Sequence, residues 1–219
     1  MMTADSHGGV SGMGGRLRRQ VSRLRGMAAG LLLLAGCATA PEIRYFRVEY
    51  PLPGPSANSP LPLTLGVARL AAPEPYRQER IIYRNSAHLV QYYVYSRWES
   101  PPADMVNERL LEQFSASGRF RRVVPWRRGE TPDYRLEARL RRFEELDEPD
   151  GWYGLVELEY EVLDGGGRSL LREVATQRVR AEAKSVDGIV EALSRGLRAG
   201  LSEMVAKTGA ALATHRPGP

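Results

Sequence analysis

The sequence predicts a single α+β domain, a mainly antiparallel sheet with two helices packed on one face. Three observations lead there. Tyr134, Leu136, Ala138 and Leu140 alternate with Arg135, Glu137, Arg139 and Arg141, and Val156, Leu158, Tyr160 and Val162 alternate with Glu157, Glu159 and Glu161. Period-two patterning of this kind marks strands with one buried and one wet face. Residues 101–117 and 185–212 instead repeat their apolar side chains every three or four positions, as amphipathic helices do. The resulting order is strands, helix, strands, helix, which suits helices laid on one face of an antiparallel sheet.

The N-terminal stretch carries most of the charge imbalance. The chain of 219 residues has a formal net charge of +5 and a pI near 9.5, which would ordinarily raise nucleic acid or an anionic membrane as a partner. Arg16, Arg18, Arg19, Arg23 and Arg25 all precede Cys37, against the single acid Asp5; residues 37–219 hold 26 basic and 25 acidic side chains. The basic excess therefore belongs to a targeting segment, and nucleic acid is not an expected partner. Residues 16–25 read as a charged n-region and 27–35 as an apolar run of 9 residues. Such a run is too short for the roughly 20 residues that span a bilayer but suits a secretory h-region.

The run leads into Leu34-Ala35-Gly36-Cys37, which resembles the bacterial lipobox, where small residues precede a cysteine that is lipidated and becomes the mature N-terminus. Cys37 is the only cysteine of the chain, so no internal disulfide is expected. Residues 1–36 read as a signal peptide. Met13 would give it a more typical length than Met1 and is the expected start. The resemblance to lipoproteins implies a firm anchor, since each buried CH₂ of an acyl chain contributes about 0.8 kcal/mol. By the sorting rule of the lipoproteins it resembles, Ala38, standing where a retention Asp would stand, favours transfer to the outer membrane, with the folded part on the periplasmic face.

Residues 37–62 read as the lipidated N-terminus and a Pro-rich tether, because Pro41, Pro51, Pro53, Pro55, Pro60 and Pro62 prevent regular backbone pairing. A strand over 44–50 interrupts it. The domain proper is expected over 63–212, beginning with a strand at 63–70 that ends at Ala71-Ala72-Pro73. In the stretch 80–102, two strand-type runs, 81–83 and 89–95, flank the turn-forming pair Asn85-Ser86. Tyr83, Tyr92, Tyr93, Tyr95 and Trp98 crowd this stretch. Aromatic residues fit a half-buried pleated surface, and they are also enriched at interfaces; the sequence leaves both readings open.

A helix follows, with Ser100 as its expected cap, a proline tolerated in the first turn, and Ala103, Val106, Leu110 and Phe114 as its stripe. Gly118 suits its left-handed end. After a short strand at 120–125 come the alternating strands, whose Arg-bearing and Glu-bearing wet rows can pair across the sheet. The turn Asp164-Gly165-Gly166-Gly167 returns the chain into a strand over 169–181. Ser185 and Asp187 start the last helix, with Ile189, Leu193, Leu197, Leu201 and Met204 as its stripe. Gly188, Gly196 and Gly200 roughly share one face, which implies close packing against the sheet or another subunit. Residues 213–219 read as a disordered tail.

Little in the chain points to catalysis. Gly165-Gly166-Gly167 lacks the Lys-Ser or Lys-Thr of a phosphate loop, no G-x-S-x-G elbow occurs, and His88 and His215 are the only histidines after Cys37. The sequence is therefore read as non-enzymatic, with no catalytic residue, no metal, and no cofactor beyond the covalent lipid on Cys37. A periplasmic hydrolase built on His88 and Ser86 is the enzymatic alternative.

Several motifs carry a more specific resemblance: L-A-G-C at Cys37, Y-F-R at 45–47, R-I-I-Y-R at 80–84, Q-Y-Y-V-Y-S-R-W at 91–98, the Pro-Pro helix start and S-G-R-F at 117–120. Together they resemble the ABC-type transport auxiliary lipoprotein family, the PqiC-like lipoproteins that accompany MCE-domain lipid transport systems. The resemblance implies a non-enzymatic auxiliary component of a lipid or organic-solvent transporter. Its implied partners are a periplasmic MCE-domain protein and an inner-membrane permease or ABC transporter, and it allows a homo-oligomer. Arg80, Tyr83, Arg84, Tyr92, Tyr95 and Trp98 form the candidate interaction surface. The alternative is an outer-membrane assembly or lipopolysaccharide-handling lipoprotein independent of MCE proteins.

Overall fold

One long strand organises the sheet. In the computed structural model, residues 41–55 and 59–215 are described. Their elements are β1 (Arg44–Phe46), β2 (Leu61–Val67), a 3-10 turn (Glu74–Arg77), β3 (Arg80–Arg84), β4 (Gln91–Trp98) and α1 (Pro102–Ala116). After these come β5 (Phe120–Pro125), β6 (Tyr134–Glu148), β7 (Gly151–Asp164), β8 (Ser169–Arg180) and α2 (Val186–Thr214). Along one edge β6 pairs antiparallel with β7 from Tyr134↔Asp164 to Glu148↔Gly151, and β7 pairs antiparallel with β8. These long ladders follow from the alternation in the sequence, and Arg141–Glu157 (2.9 Å) and Arg172–Glu159 (2.7 Å) do pair across the wet face.

The other edge of β6 is shared by two strands in succession. β2 lies parallel to its start, opposite Tyr134 to Leu136, and β3 lies parallel to its end, opposite Glu145 and Leu146. Between them Ala71 bridges Arg139, with hydrogen bonds from Ala71 N to Ala138 O and from Leu140 N to Ala71 O. The chain from β2 to β3 thus tracks β6 end to end, with the 3-10 turn set between the two strands. β5 flanks β2 in parallel, β4 flanks β3 antiparallel, and β1 is the outer strand, parallel to β4. The fold is α+β, as the sequence predicts, with the short parallel pairings added to the antiparallel ladders.

A register shift between Leu140 and Arg142 leaves Arg141 as an extra residue in β6. Such a bulge reverses which side chains face which side. Before it, Leu136, Ala138 and Leu140 face the helices; after it, Phe143 and Glu145 do, and Glu144 turns to the opposite face.

The helix side of the sheet forms the core, where Val156, Leu158, Tyr160 and Val162 join Ile189, Leu193, Leu197, Leu201 and Met204. Gly196 and Gly200 of α2 face Val156, Val179, Gln177 and Ala175; a Cβ on Gly196 would meet Val156 Cγ2 at 3.3 Å, a tight contact, whereas one on Gly200 would meet nothing closer than 3.5 Å, so close packing on the sheet accounts for Gly196 alone. A Cβ on Gly154 of β7 would lie 2.8 Å from the Leu193 nitrogen, so α2 rests almost on the strand backbone there. Ser185 caps α2 as expected, its hydroxyl accepting from Gly188 N at 3.1 Å. The cap position of α1 is Pro101 rather than Ser100, with no side-chain cap; Pro102 occupies the first turn, where its missing N–H costs nothing. Gly118 has φ 62, the left-handed end anticipated for this helix.

The strand expected over 44–50 is shorter, β1 ending at Phe46, and the chain after it packs on the helices. After β1, Val48 and Tyr50 are buried. The Tyr50 hydroxyl donates to Gln113 Oε1 at 3.0 Å, and the Gln113 amide donates onward to Ser202 Oγ at 2.8 Å, joining this segment, α1 and α2. Past the end of β1, side chains of the two helices serve the backbone: Ser194 Oγ accepts from Glu49 N, and Arg109 donates to Val48 O. At the other end α2 runs to Thr214, and the Tyr134 hydroxyl meets His215 Nδ1 at 3.0 Å, so the expected tail is ordered through His215. The signal segment, Cys37 and residues 216–219 lie outside the described residues.

Candidate interaction surface

The β3–β4 hairpin is attached to β6 through two adjacent buried carboxylates on opposite faces of the sheet. Glu144 is fully buried. Its Oε2 accepts from the Tyr76 hydroxyl at 2.9 Å and Arg84 Nε at 3.0 Å, and its Oε1 accepts from Arg142 Nε at 2.8 Å. On the helix side, Glu145 Oε2 accepts from the Tyr93 hydroxyl at 2.7 Å, and the Tyr93 ring lies 5.0 Å from that of Tyr83. Glu145 Oε1 has no partner among the described residues. Burial disfavours the charged form and pushes this carboxyl up to about 7. Burial, reinforced by the neighbouring carboxylates, also holds the Tyr76 and Tyr93 hydroxyls well above their ordinary range.

These contacts divide the six residues that the sequence groups as one surface. Trp98 is 1% exposed and packs on Phe143 with ring centroids 5.5 Å apart, so it belongs to the core and not to a surface. Arg84 points inward to Glu144. Tyr83 is half-buried, its hydroxyl donating to Gln91 Oε1 at 3.1 Å. Arg80 lies over the Tyr92 ring at 5.1 Å, and Tyr95 is 50% exposed. The half-buried reading thus fits Tyr83 and Trp98 is fully core, while Tyr95 is left facing outward.

Of the large apolar groups exposed on this edge among the described residues, only Tyr95 belongs to the surface the sequence groups together. The β3–β4 register breaks between the Arg80↔Arg97 and Ile82↔Tyr92 pairs, and Val94 and Tyr95 lie within the irregularity. Of the seven large apolar side chains exposed among the described residues, five lie on β1, its approach, β4 or the loop before it: Ile43, Tyr45, Leu89, Val94 and Tyr95. Their signal is tertiary, since an edge strand and a bulge expose residues that a regular strand would half bury. Glu144 and Glu145 leave only a faint trace in the sequence, the breakdown of alternation after Arg141.

His88 makes no hydrogen bond among the described residues, and no three His, Cys, Asp or Glu side chains among them are grouped to hold a metal. No described helix is long and apolar enough to cross a membrane. At the opposite end of the sheet, a cleft of about 610 Å³ is rimmed by Arg121, Arg122, Arg127 and Asp133.

Comparison with known proteins adds a relationship across most of this body. The family model for ABC-type transport auxiliary lipoprotein components matches residues 48–206. The crystal structure of a Xanthomonas campestris protein is similar, with TM-score 0.70 and 21% identity, over 77% of this chain and 96% of that one. So is the crystal structure of an uncharacterized protein, with TM-score 0.59 and 15% identity over 76% and 99%. A hypothetical protein from Chlamydia trachomatis follows at TM-score 0.50 and 7% identity over 71% and 100%. At these identities the likenesses show the fold. Among curated proteins there is no match.

Proposed function

The chain belongs to the family of ABC-type transport auxiliary lipoprotein components, and we propose that it is a non-enzymatic member working at the outer membrane. In this reading acyl chains on Cys37 hold it at the periplasmic face. There it docks the periplasmic MCE-domain protein of a lipid or organic-solvent transport system, whose permease or ABC transporter lies in the inner membrane. The observation that carries the reading is the family match itself, which spans the folded body from Val48 into α2. The lipobox, Ala38 and the Tyr- and Arg-rich motifs at 80–98 support its finer parts. The covalent lipid is the only non-protein group in this account.

Affinity purification of the tagged chain from detergent-solubilised membranes tests the assignment. An MCE-domain protein with its permease should co-purify, and their reproducible absence would overturn the docking role.

A further inference from the structure

We propose that the β1–β4 edge lies against the lipid surface in which the acylated Cys37 is held, with Ile43, Tyr45, Val94 and Tyr95 as its apolar contacts and Arg80 and Arg97 facing the phosphates. The inference rests on the lipid-anchored reading above and adds an orientation to it.

Chain length sets the first limit. From Cys37 to the start of β1 at Arg44 the chain can extend at most about 25 Å, at roughly 3.5 Å per residue. The parallel register Arg44↔Ser96 and Tyr45↔Arg97 directs the incoming chain, and so Ile43, toward Tyr95 and Val94. The tether therefore reaches the body at its most exposed apolar edge. A folded protein of 100 residues, with a radius of gyration of about 13 Å, would not fit in the gap between that edge and the bilayer.

Chemistry supplies the second argument. Tyrosine, with an apolar ring and a polar tip, suits the membrane–water boundary, and among the described residues five of the seven exposed large apolar side chains lie on this edge or the loop beside it. Arg80 and Arg97 stand directly opposite each other. Like charges so placed repel, and among the described residues neither has a carboxylate partner, Arg80 being stacked on Tyr92. A layer of anionic phosphates provides the missing countercharge next to the apolar contacts.

The test uses the full lipoprotein in vesicles of phosphatidylethanolamine and phosphatidylglycerol carrying nitroxide-labelled lipid. With Cys37 acylated, a fluorophore can be placed on the lone free thiol of Val94→Cys or, on β8, of Val174→Cys. Both positions are exposed, so neither change should disturb folding. The label at position 94 should be quenched several-fold more strongly than that at 174. Arg97→Glu should weaken this quenching, and replacing phosphatidylglycerol by phosphatidylcholine should do the same. Equal quenching at 94 and 174 would overturn the inference, as would a label at 94 that is shielded from water yet untouched by the nitroxide, which would mean a second copy covers the edge. Flotation separates the two claims. Protein that floats without quenching at 94 refutes the orientation alone, whereas protein that does not float refutes the anchor and the orientation with it.

Discussion

The Tyr93 hydroxyl donates a 2.7 Å hydrogen bond to Glu145, a carboxylate on the helix-facing side of β6 that is only 1% exposed. This contact helps tie the hairpin carrying the exposed edge to the centre of the sheet.

Stability should fall as pH rises across the range in which Glu145 titrates. Burial moves its carboxyl from 4.5 to about 7, so between those values the folded chain keeps a proton that the unfolded chain has released. The favourable protonated state is fully available below pH 4.5, is lost on the way up to about 7, and contributes nothing further above it. At about 1.4 kcal/mol per unit, the shift corresponds to a loss on the order of 3 kcal/mol. Glu145→Gln, which keeps an acceptor for Tyr93 without a charge, should flatten this slope and exceed the parent in stability above pH 7. Urea denaturation on either side of the window checks it, and an unchanged slope in the variant would refute the assignment.

Glu144 is different, because it already has three donors. Glu144→Ala would strand the Tyr76 hydroxyl in the core and leave Arg84 and Arg142 without their carboxylate. Hydrogen bonds to a charged group are worth about 1.5–3 kcal/mol each, but both arginines are partly exposed, so a total loss of about 2–3 kcal/mol is expected. Thermal unfolding measures this, and a change under about 0.5 kcal/mol, typical of a surface site, would contradict it.

The split within the aromatic cluster predicts opposite outcomes for two residues three positions apart. Trp98→Ala should cost about 3–5 kcal/mol as a core truncation, whereas Tyr95→Ala should stay within about 0.5 kcal/mol. Comparable losses in both would place Tyr95 in the core.

Two glycines at the contact of α2 with the sheet should also diverge. Gly154→Ala puts a methyl against the backbone of α2 and should cost about 1–3 kcal/mol by overpacking. At Gly200 the nearest side-chain atom is 3.5 Å away, an ordinary contact, so Gly200→Ala should stabilise the helix by up to about 1 kcal/mol. Denaturation midpoints of the pair decide the matter.

The sequence made local regularity legible. Alternation from Tyr134 and from Val156 announced the long ladders, and the spacing of Ile189, Leu193 and Leu197 announced α2. The parallel contacts of β2 and β3 with one edge of β6 left no local mark, because partners such as Leu65 and Tyr134 are far apart in the chain and neither constrains its neighbours' pattern. The bulge at Arg141 hid the burial of Glu144 and Glu145 for a related reason: a single extra residue reverses the faces while the composition stays that of a charged, wet strand. The sequence groups Trp98 with the candidate surface because it lies in the aromatic-rich stretch 80–102, and only the position of Phe143 shows otherwise. Tyr50 falls in the strand expected over 44–50, but β1 ends at Phe46, and what orders Tyr50 instead is Gln113, a residue of a distant helix that no local pattern reveals.

Intact-mass measurement of the mature protein from the cell envelope tests the central claim most directly. The account predicts a chain beginning at Cys37, lacking residues 1–36 and heavier by its acyl groups. A soluble mature chain with an unmodified Cys37 would contradict it.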